Sequence, residues 1–358
     1  MARANNRNRE YLSRFWSSAS GFWRGKSAPS AWLLTLGLLA MGVAQLAVQY
    51  RLNYWNRDFF DALGRRDGVA LWQQAVIFLP FAFLSVALKV AAVWGRMTMQ
   101  REWRRWLTTN ILDTWLANEH YHKLESVTGE SKNAEYRLSY DARTATDAPV
   151  DLALGFVTSA LTALVFIDVL WTVGGGFTIL VDHIEMTMPG YLVFGVGIYS
   201  LVFTGAMIAI GRQLPTTIQS QSQAEAEFLA AATRIREAGN PAATAGEPNN
   251  LWGVFRELLT RWRQLCWQLM GTTLVTQTDL LLAPVFAWIL CAPKYLNGTM
   301  TLGELTQASA AFVTVQLAFN WLVDNYQRLS DWRSAVNRVA ALLLAMDKVE
   351  QLERQKGD

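Results

Sequence analysis

Residues 31–50 read AWLLTLGLLAMGVAQLAVQY, and after Arg51 the chain turns at 52–67 into LNYWNRDFFDALGRRD. Twenty mostly apolar residues make a helix about 30 Å long, the thickness of a bilayer's hydrocarbon core. The second stretch brings asparagine, arginine and aspartate together with Tyr54, Trp55, Phe59 and Phe60. Such rings settle at the boundary between membrane and water, so the pair reads as a membrane span and its exit. Comparable apolar stretches at 71–95, 150–172, 189–211, 267–290 and 302–324 bring the expected number of spans to six. The last is interrupted by Glu304, Gln307, Gln316 and Asn320, residue types that in a membrane helix face the bundle interior or a water-filled cavity. Composition agrees: 52% hydrophobic residues, 16 tryptophans and a positive mean hydropathy are unusual for a soluble chain.

Lysine and arginine counts orient the spans. Segments 1–30, 96–149, 212–266 and 325–358 hold 6, 8, 6 and 6 of them, against 4, 0 and 1 in 51–70, 173–188 and 291–301. The positive-inside rule then places both termini of a multi-pass membrane protein in the cytoplasm. The expected organisation is a cytoplasmic amphipathic segment 1–30, a transmembrane domain 31–324 and a cytoplasmic tail 325–358. FWSSASGFW in the first segment reads as an interfacial helix. That segment leads into a full-length span without a small-residue cleavage site, as in an uncleaved integral protein.

The inner loops 96–149 and 212–266 are 54 and 55 residues long, so most of the non-membrane mass is expected inside. In REWRRWLTTNILDTWL, residues Trp103, Trp106, Leu107, Ile111, Trp115 and Leu116 recur near helical spacing. The second span is therefore expected to continue into the cytoplasm as a packed helix. The second inner loop reads as helical up to Glu237, dissolves into AGNPAATAGEPNN, and resumes a helix at LWGVFRELLTRWRQL.

Several of these pieces carry a family resemblance: LNYWNRDFFDALGRRD, REWRRWLTTNILDTWL, NAEYRL, EAEFLAAATRIRE and TMTLGELTQASAAFVTVQLAFNWLVDNYQRLSDWRSAVNRVAAL. The chain resembles the membrane half of bacterial and peroxisomal ABC half-transporters, in the subgroup that includes the SbmA/BacA peptide transporters and the long-chain acyl or cobalamin transporters. The resemblance implies an all-α, ABC exporter type-1-like membrane domain that works as a homodimer. It also implies a coupling role against an ATPase for the second inner hairpin, where Glu225, Glu227, Phe228 and Arg234 are the candidates. Here the breaker-rich AGNPAATAGEPNN stands where the family leads one to expect an ordered, charged continuation.

No GxxxxGK[ST] loop occurs, and the GGG at 174–176 leads into FTIL without a lysine, so it reads as a turn and not a phosphate cradle. ATP hydrolysis by these residues alone is not expected. An energy source is then to be sought among intramembrane ionisable groups. Asp279 lies near mid-depth of the fifth span, where a carboxylate costs a few kcal/mol unless paired, hydrated or protonated. It is the leading candidate proton carrier; the alternatives are a charge facing a water-filled cavity, or a structural pair. Pro284, five residues on, is expected to kink the helix and open space around it. Lys89 is close enough to the inner end of the second span to snorkel, or else pairs with Asp279. Asp168 and Asp324 are taken as outer span-end charges, and Glu304 opens the sixth span. With Asp58, Asp61, Asp182 and Glu185 they would form an external carboxylate patch that concentrates a cationic peptide.

Other classes find less support. His120 and His122 point to different faces of a predicted helix, His183 lies outside, and neither HExxH nor GxSxG occurs, so no enzyme is expected. Cys266 and Cys291 are 25 residues apart, about 37 Å along a helix, too far to bond within it. Gly195, Gly197 and Gly205 allow close helix contact in the fourth span. The sequence is thus read as a transporter of peptides or other amphipathic molecules, embedded in a lipid bilayer as a homodimer. It is driven by protons or by a separate ATP-binding subunit, with no cofactor and no nucleic-acid partner.

Overall fold

A computed structural model describes residues 2–25, 27–117, 137–181, 184–237 and 247–357. His120, His122, Asp182, His183 and most of AGNPAATAGEPNN lie outside the described residues. The chain divides into two compact units. One holds Met1–Asp168, Thr301–Gln307 and Asp324–Asp358, the other Val169–Met300 and Ala308–Val323. Nine helices are described: α1 Ala2–Ala19, α2 Ala28–Gly64, α3 Gly68–Leu116, α4 Ala142–Gly174, α5 Tyr191–Gly211, α6 Leu214–Glu237, α7 Glu247–Leu296, α8 Leu302–Asp324 and α9 Tyr326–Gly357.

In the first unit, LNYWNRDFFDALG does not break the helix: α2 runs unbroken to Gly64, so the stretch supplies its last turns. Its polar residues are there for contacts. Trp55 donates from Nε1 to the Gln74 carbonyl of α3 at 2.8 Å and packs on Phe59 and Phe78. Asn53 donates to the Gln307 carbonyl, and the Asp61 carboxylate accepts from the Gly303 N–H at 2.8 Å, seating the first turns of α8. The turn between α2 and α3 is tight, with Arg66 in the left-handed region, and Asp67 caps α3 by accepting from the N–H groups of Val69 and Ala70.

Gly303 is fixed by this seat. A Cβ there would lie 2.1 Å from the Arg57 carbonyl oxygen and 2.6 Å from the Asp61 carboxylate. Gly303→Ala is expected to lower stability by about 1–3 kcal/mol, the usual range for overpacking. A detergent-solubilised variant that melts at the wild-type temperature would show that the two helices separate there without loss.

α3 runs 49 residues without interruption, as its helical spacing predicts. Beyond the apolar stretch it presents Trp103, Leu107 and Ile111 to a core shared with Phe15, Ala19, Phe22, Val336, Val339, Leu343 and Met346. Within FWSSASGFW, Phe15 and Phe22 are 1% exposed inside a helical bundle to which α9 and α3 supply apolar faces, while Trp16 stays exposed. Ion pairs reinforce the bundle: Arg14 grips Asp347 through both carboxylate oxygens at 2.6 and 2.7 Å. That hydrogen-bonded carboxylate raises the Arg14 guanidinium above its ordinary value, against a smaller desolvation effect. Arg338 grips Asp141 in the same two-pronged way at 2.8 and 2.7 Å. Asp141 ends a single π-helical turn, Arg137–Asp141, that leads into α4.

In the second unit, the segment expected as a plain outer loop is instead an antiparallel β-hairpin, β1 Gly176–Val181 and β2 Ile184–Pro189, in register from Gly176 opposite Pro189 to Val181 opposite Ile184. The GGG at 174–176 is the expected turn: Gly174 ends α4, Gly175 takes positive φ, and Gly176 opens β1. α6 is helical through Glu237, the last described residue before 247, as the sequence reading expected for that stretch. α5 and α7 approach closely at Gly195, where a Cβ would fall 2.6 Å from Leu290 Cδ1, whereas Gly197 and Gly205 face open space.

Five helical stretches among the described residues are long and apolar enough to cross a membrane: α2, α3, α4 with its preceding turn, α5 continued by α6, and α7 from Asn250. The protein is an all-α membrane protein. α8, counted as the sixth span from sequence, is helical throughout but stands outside those five.

Candidate functional site

The buried stripe of α7 is made of Thr272, Asp279, Ala283, Ala287 and Cys291, spaced by seven, four, four and four residues. A helix repeats its face at that spacing, and the two alanines keep the stripe narrow enough for neighbours to close over it. Asp279 is the charged residue on the stripe and is 8% exposed. α8 meets it with a matching stripe, Ala308, Phe312, Gln316 and Asn320, spaced by fours. α5 adds Val196, Tyr199 and Ser200.

These side chains form one hydrogen-bonded network inside the second unit. Asn320 Nδ2 donates to Asp279 Oδ2 at 2.8 Å, and Gln316 Nε2 donates to Oδ1 and Oδ2 at 3.2 and 3.4 Å. Gln316 Oε1 in turn accepts from the Ser200 hydroxyl. Tyr199 donates its phenol to the main-chain carbonyl of Asp279 at 3.2 Å and packs its ring among Phe203, Phe286 and Phe312. No ion pair among the described residues includes Asp279. Its carboxylate is therefore solvated by neutral amides, in a helix surrounded by exposed leucines of membrane-spanning character. Neutral donors thus supply the side-chain hydrogen bonds that its two acceptor oxygens receive.

The other candidates lie elsewhere. Lys89 is exposed on α3, in the first unit. Asp168 is exposed near the end of α4 and acts electrostatically on Tyr54. Glu304 serves the fold by forming a capping box with Thr301, Thr301 N to Glu304 Oε2 at 2.9 Å and Glu304 N to Thr301 Oγ1 at 3.1 Å. Asp324 needs a correction. It closes α8 at the end opposite Glu304, and 23 residues separate helix ends by about 33 Å, so the two cannot share one external patch.

On α6, Glu225, Glu227 and Arg234 are exposed. The two glutamates accept from Gln221 and Gln223 one turn earlier, at 2.5 and 3.0 Å. Phe228 packs on Phe255 of α7 at 5.6 Å and so joins α6 to the first turns of α7.

The sequence singles out Asp279, and it places Gln316 and Asn320 among interruptions that face a bundle interior or a cavity without linking them to Asp279. Their separation by four residues was the available signal, since it places both amides on one face. Tyr199 and Ser200 gave no signal beyond their polarity within YLVFGVGIYSLVFTGAMIAIG.

Comparison with known proteins agrees with this architecture. Residues 25–296 match the family described as ABC transporter transmembrane region 2. The inner membrane ABC transporter ATP-binding protein YddA of Escherichia coli (strain K12) is 25% identical over 334 residues, covering 89% of this chain and 58% of that protein. An ABC transporter ATP-binding protein of Synechocystis, sll0182, is 26% identical over 333 residues, 91% of this chain and 48% of that one. ABC transporter D family member 2, chloroplastic, of Arabidopsis thaliana is 22% identical over 330 residues, 91% and 44%. The chain spans about half the length of these curated relatives. With its membrane-length helices and a match over most of its residues, the chain belongs to the ABC transporter transmembrane region 2 family.

Proposed function

We propose that the chain forms half of a translocation pathway that moves peptides or other amphipathic molecules across a bacterial inner membrane as a homodimer, coupled to protons through Asp279. The observation that carries the reading is the buried Asp279 carboxylate, held by two amides and paired with no cation among the described residues. In this reading α8 is the sixth span, both termini are cytoplasmic, and 96–149 and 212–266 are the inner hairpins. The lysine and arginine distribution and the helices α3, α6 and α7 that outrun their apolar stretches support it. Substrate enters between two protomers, protons occupy Asp279, and the bundle rocks to open on the other face.

A second reading is favoured by the relatives, which are named ATP-binding proteins and are about twice as long as the aligned chain. Here an ATP-binding partner acts on the inner hairpins, through the exposed Glu225, Glu227 and Arg234, and the substrate is an acyl, lipid or corrinoid molecule.

Uptake of a labelled proline- or arginine-rich peptide into proteoliposomes, with an imposed pH gradient and no ATP, separates the two. Protonophore-sensitive uptake is the expected result. No uptake by folded, dimeric protein overturns proton coupling and leaves the ATP-driven reading, to be pursued by pull-down of a nucleotide-binding subunit.

A further inference from the structure

We propose that Ser200, Gln316, Asp279 and Asn320 form a hydrogen-bond chain that reverses direction when Asp279 takes up a proton, with Gln316 the positioning residue of that step. The proposal rests on the reading of Asp279 as a proton carrier and assigns roles to residues on two other helices.

In the arrangement seen, the donors of Gln316 and Asn320 reach the carboxylate, and Gln316 Nε2 makes a further, longer contact of 3.4 Å to Asn320 Oδ1. Ser200 donates to Gln316 Oε1, Gln316 Nε2 donates to both Asp279 oxygens, and Asn320 Nδ2 donates to Oδ2. An ionised carboxylate has only acceptors, so this polarity suits the charged form. A proton taken from water changes the requirement: Asp279 then carries one O–H, which needs an acceptor in surroundings that are otherwise apolar. The Gln316 amide meets that need by a half-turn about its last torsion, which is broad and twofold and exchanges N and O with almost no change of shape. Its Oε1 then accepts from the Asp279 O–H, and its Nε2 donates to Ser200 Oγ. The Ser200 hydroxyl, freed as a donor, turns to the carbonyl one turn back in α5, as helical serines do.

One proton enters, one amide and one hydroxyl turn, and the contact given up is the 3.4 Å one from Gln316 Nε2 to Oδ1 of the half-buried Asn320. The groups facing the carboxyl fit this account. α5 presents Tyr199, whose phenol is already committed to the Asp279 main-chain carbonyl, and α8 presents the neutral amides Gln316 and Asn320. On α7 itself the buried neighbours are Thr272, Ala283 and Ala287, and no described ion pair reaches Asp279. A leucine at 316 would leave the carboxyl short of a donor when ionised and of an acceptor when protonated. Glutamine is one of the few side chains that serves both states, which gives a role to a polar residue that is 1% exposed on α8.

The test is infrared difference spectroscopy of the purified full chain in lipid nanodiscs as pH is lowered, with no substrate and no gradient. The expected result is a carboxylic C=O band that is missing in Asp279→Asn, accompanied by a side-chain amide change. That change should vanish in Gln316→Leu while the carboxyl band persists. Ser200→Ala, a milder change for folding, should keep both bands and move the amide one, because Gln316 Oε1 loses its donor. The proposal is overturned by an Asp279 band with no amide change, by an amide change that survives in Gln316→Leu, or by no Asp279 band at any pH the fold tolerates. Peptide uptake indifferent to a pH gradient, with both bands intact, would defeat the coupling reading alone, since the spectra involve neither transport nor gradient.

Discussion

Asp279→Asn is expected, on the proton-coupled reading, to reduce gradient-driven uptake to the level of protein-free vesicles while leaving the fold intact. Asparagine has the shape of aspartate, keeps one acceptor oxygen for Gln316 and Asn320, and carries no proton that a gradient can move. Removing a buried charge that has no cationic partner among the described residues is also neutral or favourable for stability, so the melting temperature should hold or rise. That pairing of outcomes matters, because loss of uptake together with loss of stability would only report unfolding. Size-exclusion chromatography and thermal melting in detergent check the fold, and peptide counterflow under equal pH on both sides checks that the substrate path remains open. Full gradient-driven uptake by the variant would remove Asp279 from the mechanism and turn attention to the ATP-driven reading.

The helices were legible because their signals are local. The apolar stretch from 31, the tryptophan spacing at 103, 106 and 115, and the helical run of α6 up to Glu237 each depend on residues within a few turns of one another. Asp279 was legible for a similar reason: a carboxylate within TLVTQTDLLLAPVFAWIL is conspicuous wherever the helix packs. What stayed hidden depends on pairing between distant segments. Ser200 and Gln316 are 116 residues apart, and nothing in either helix announces that the other faces it. The packing of FWSSASGFW stayed hidden for the same reason: nothing in it announces that α9, more than 300 residues later, covers Phe15 and Phe22. The hairpin at 176–189 escaped notice because a loop assignment there needed only to connect two spans.

Arg338→Leu should destabilise the first unit by about 3 kcal/mol, the lower end of the range for stranding one partner of a buried ion pair. Asp141 is 0% exposed and its two carboxylate oxygens are both held by Arg338, whose side chain is 45% exposed. Water reaching the arginine's outer edge tempers the loss, but it does not reach the carboxylate left behind. The contact joins residues 197 apart, linking α9 to the π-helical turn before α4, so its loss should also loosen the packing of Val336, Val339 and Leu343 against α3. Two comparisons give the result its meaning. Arg354→Ala breaks an exposed pair with Glu350 one turn earlier on the same helix, which is worth no more than about 0.5 kcal/mol and should leave the melting curve unchanged. Asp141→Asn combined with Arg338→Leu removes the stranded charge and should recover much of the loss, because the penalty lies in the uncompensated carboxylate and not in the missing attraction. Equal melting temperatures for Arg338→Leu and Arg354→Ala would mean that water or another side chain takes over at Asp141, and that α9 is held to the bundle by its apolar face alone.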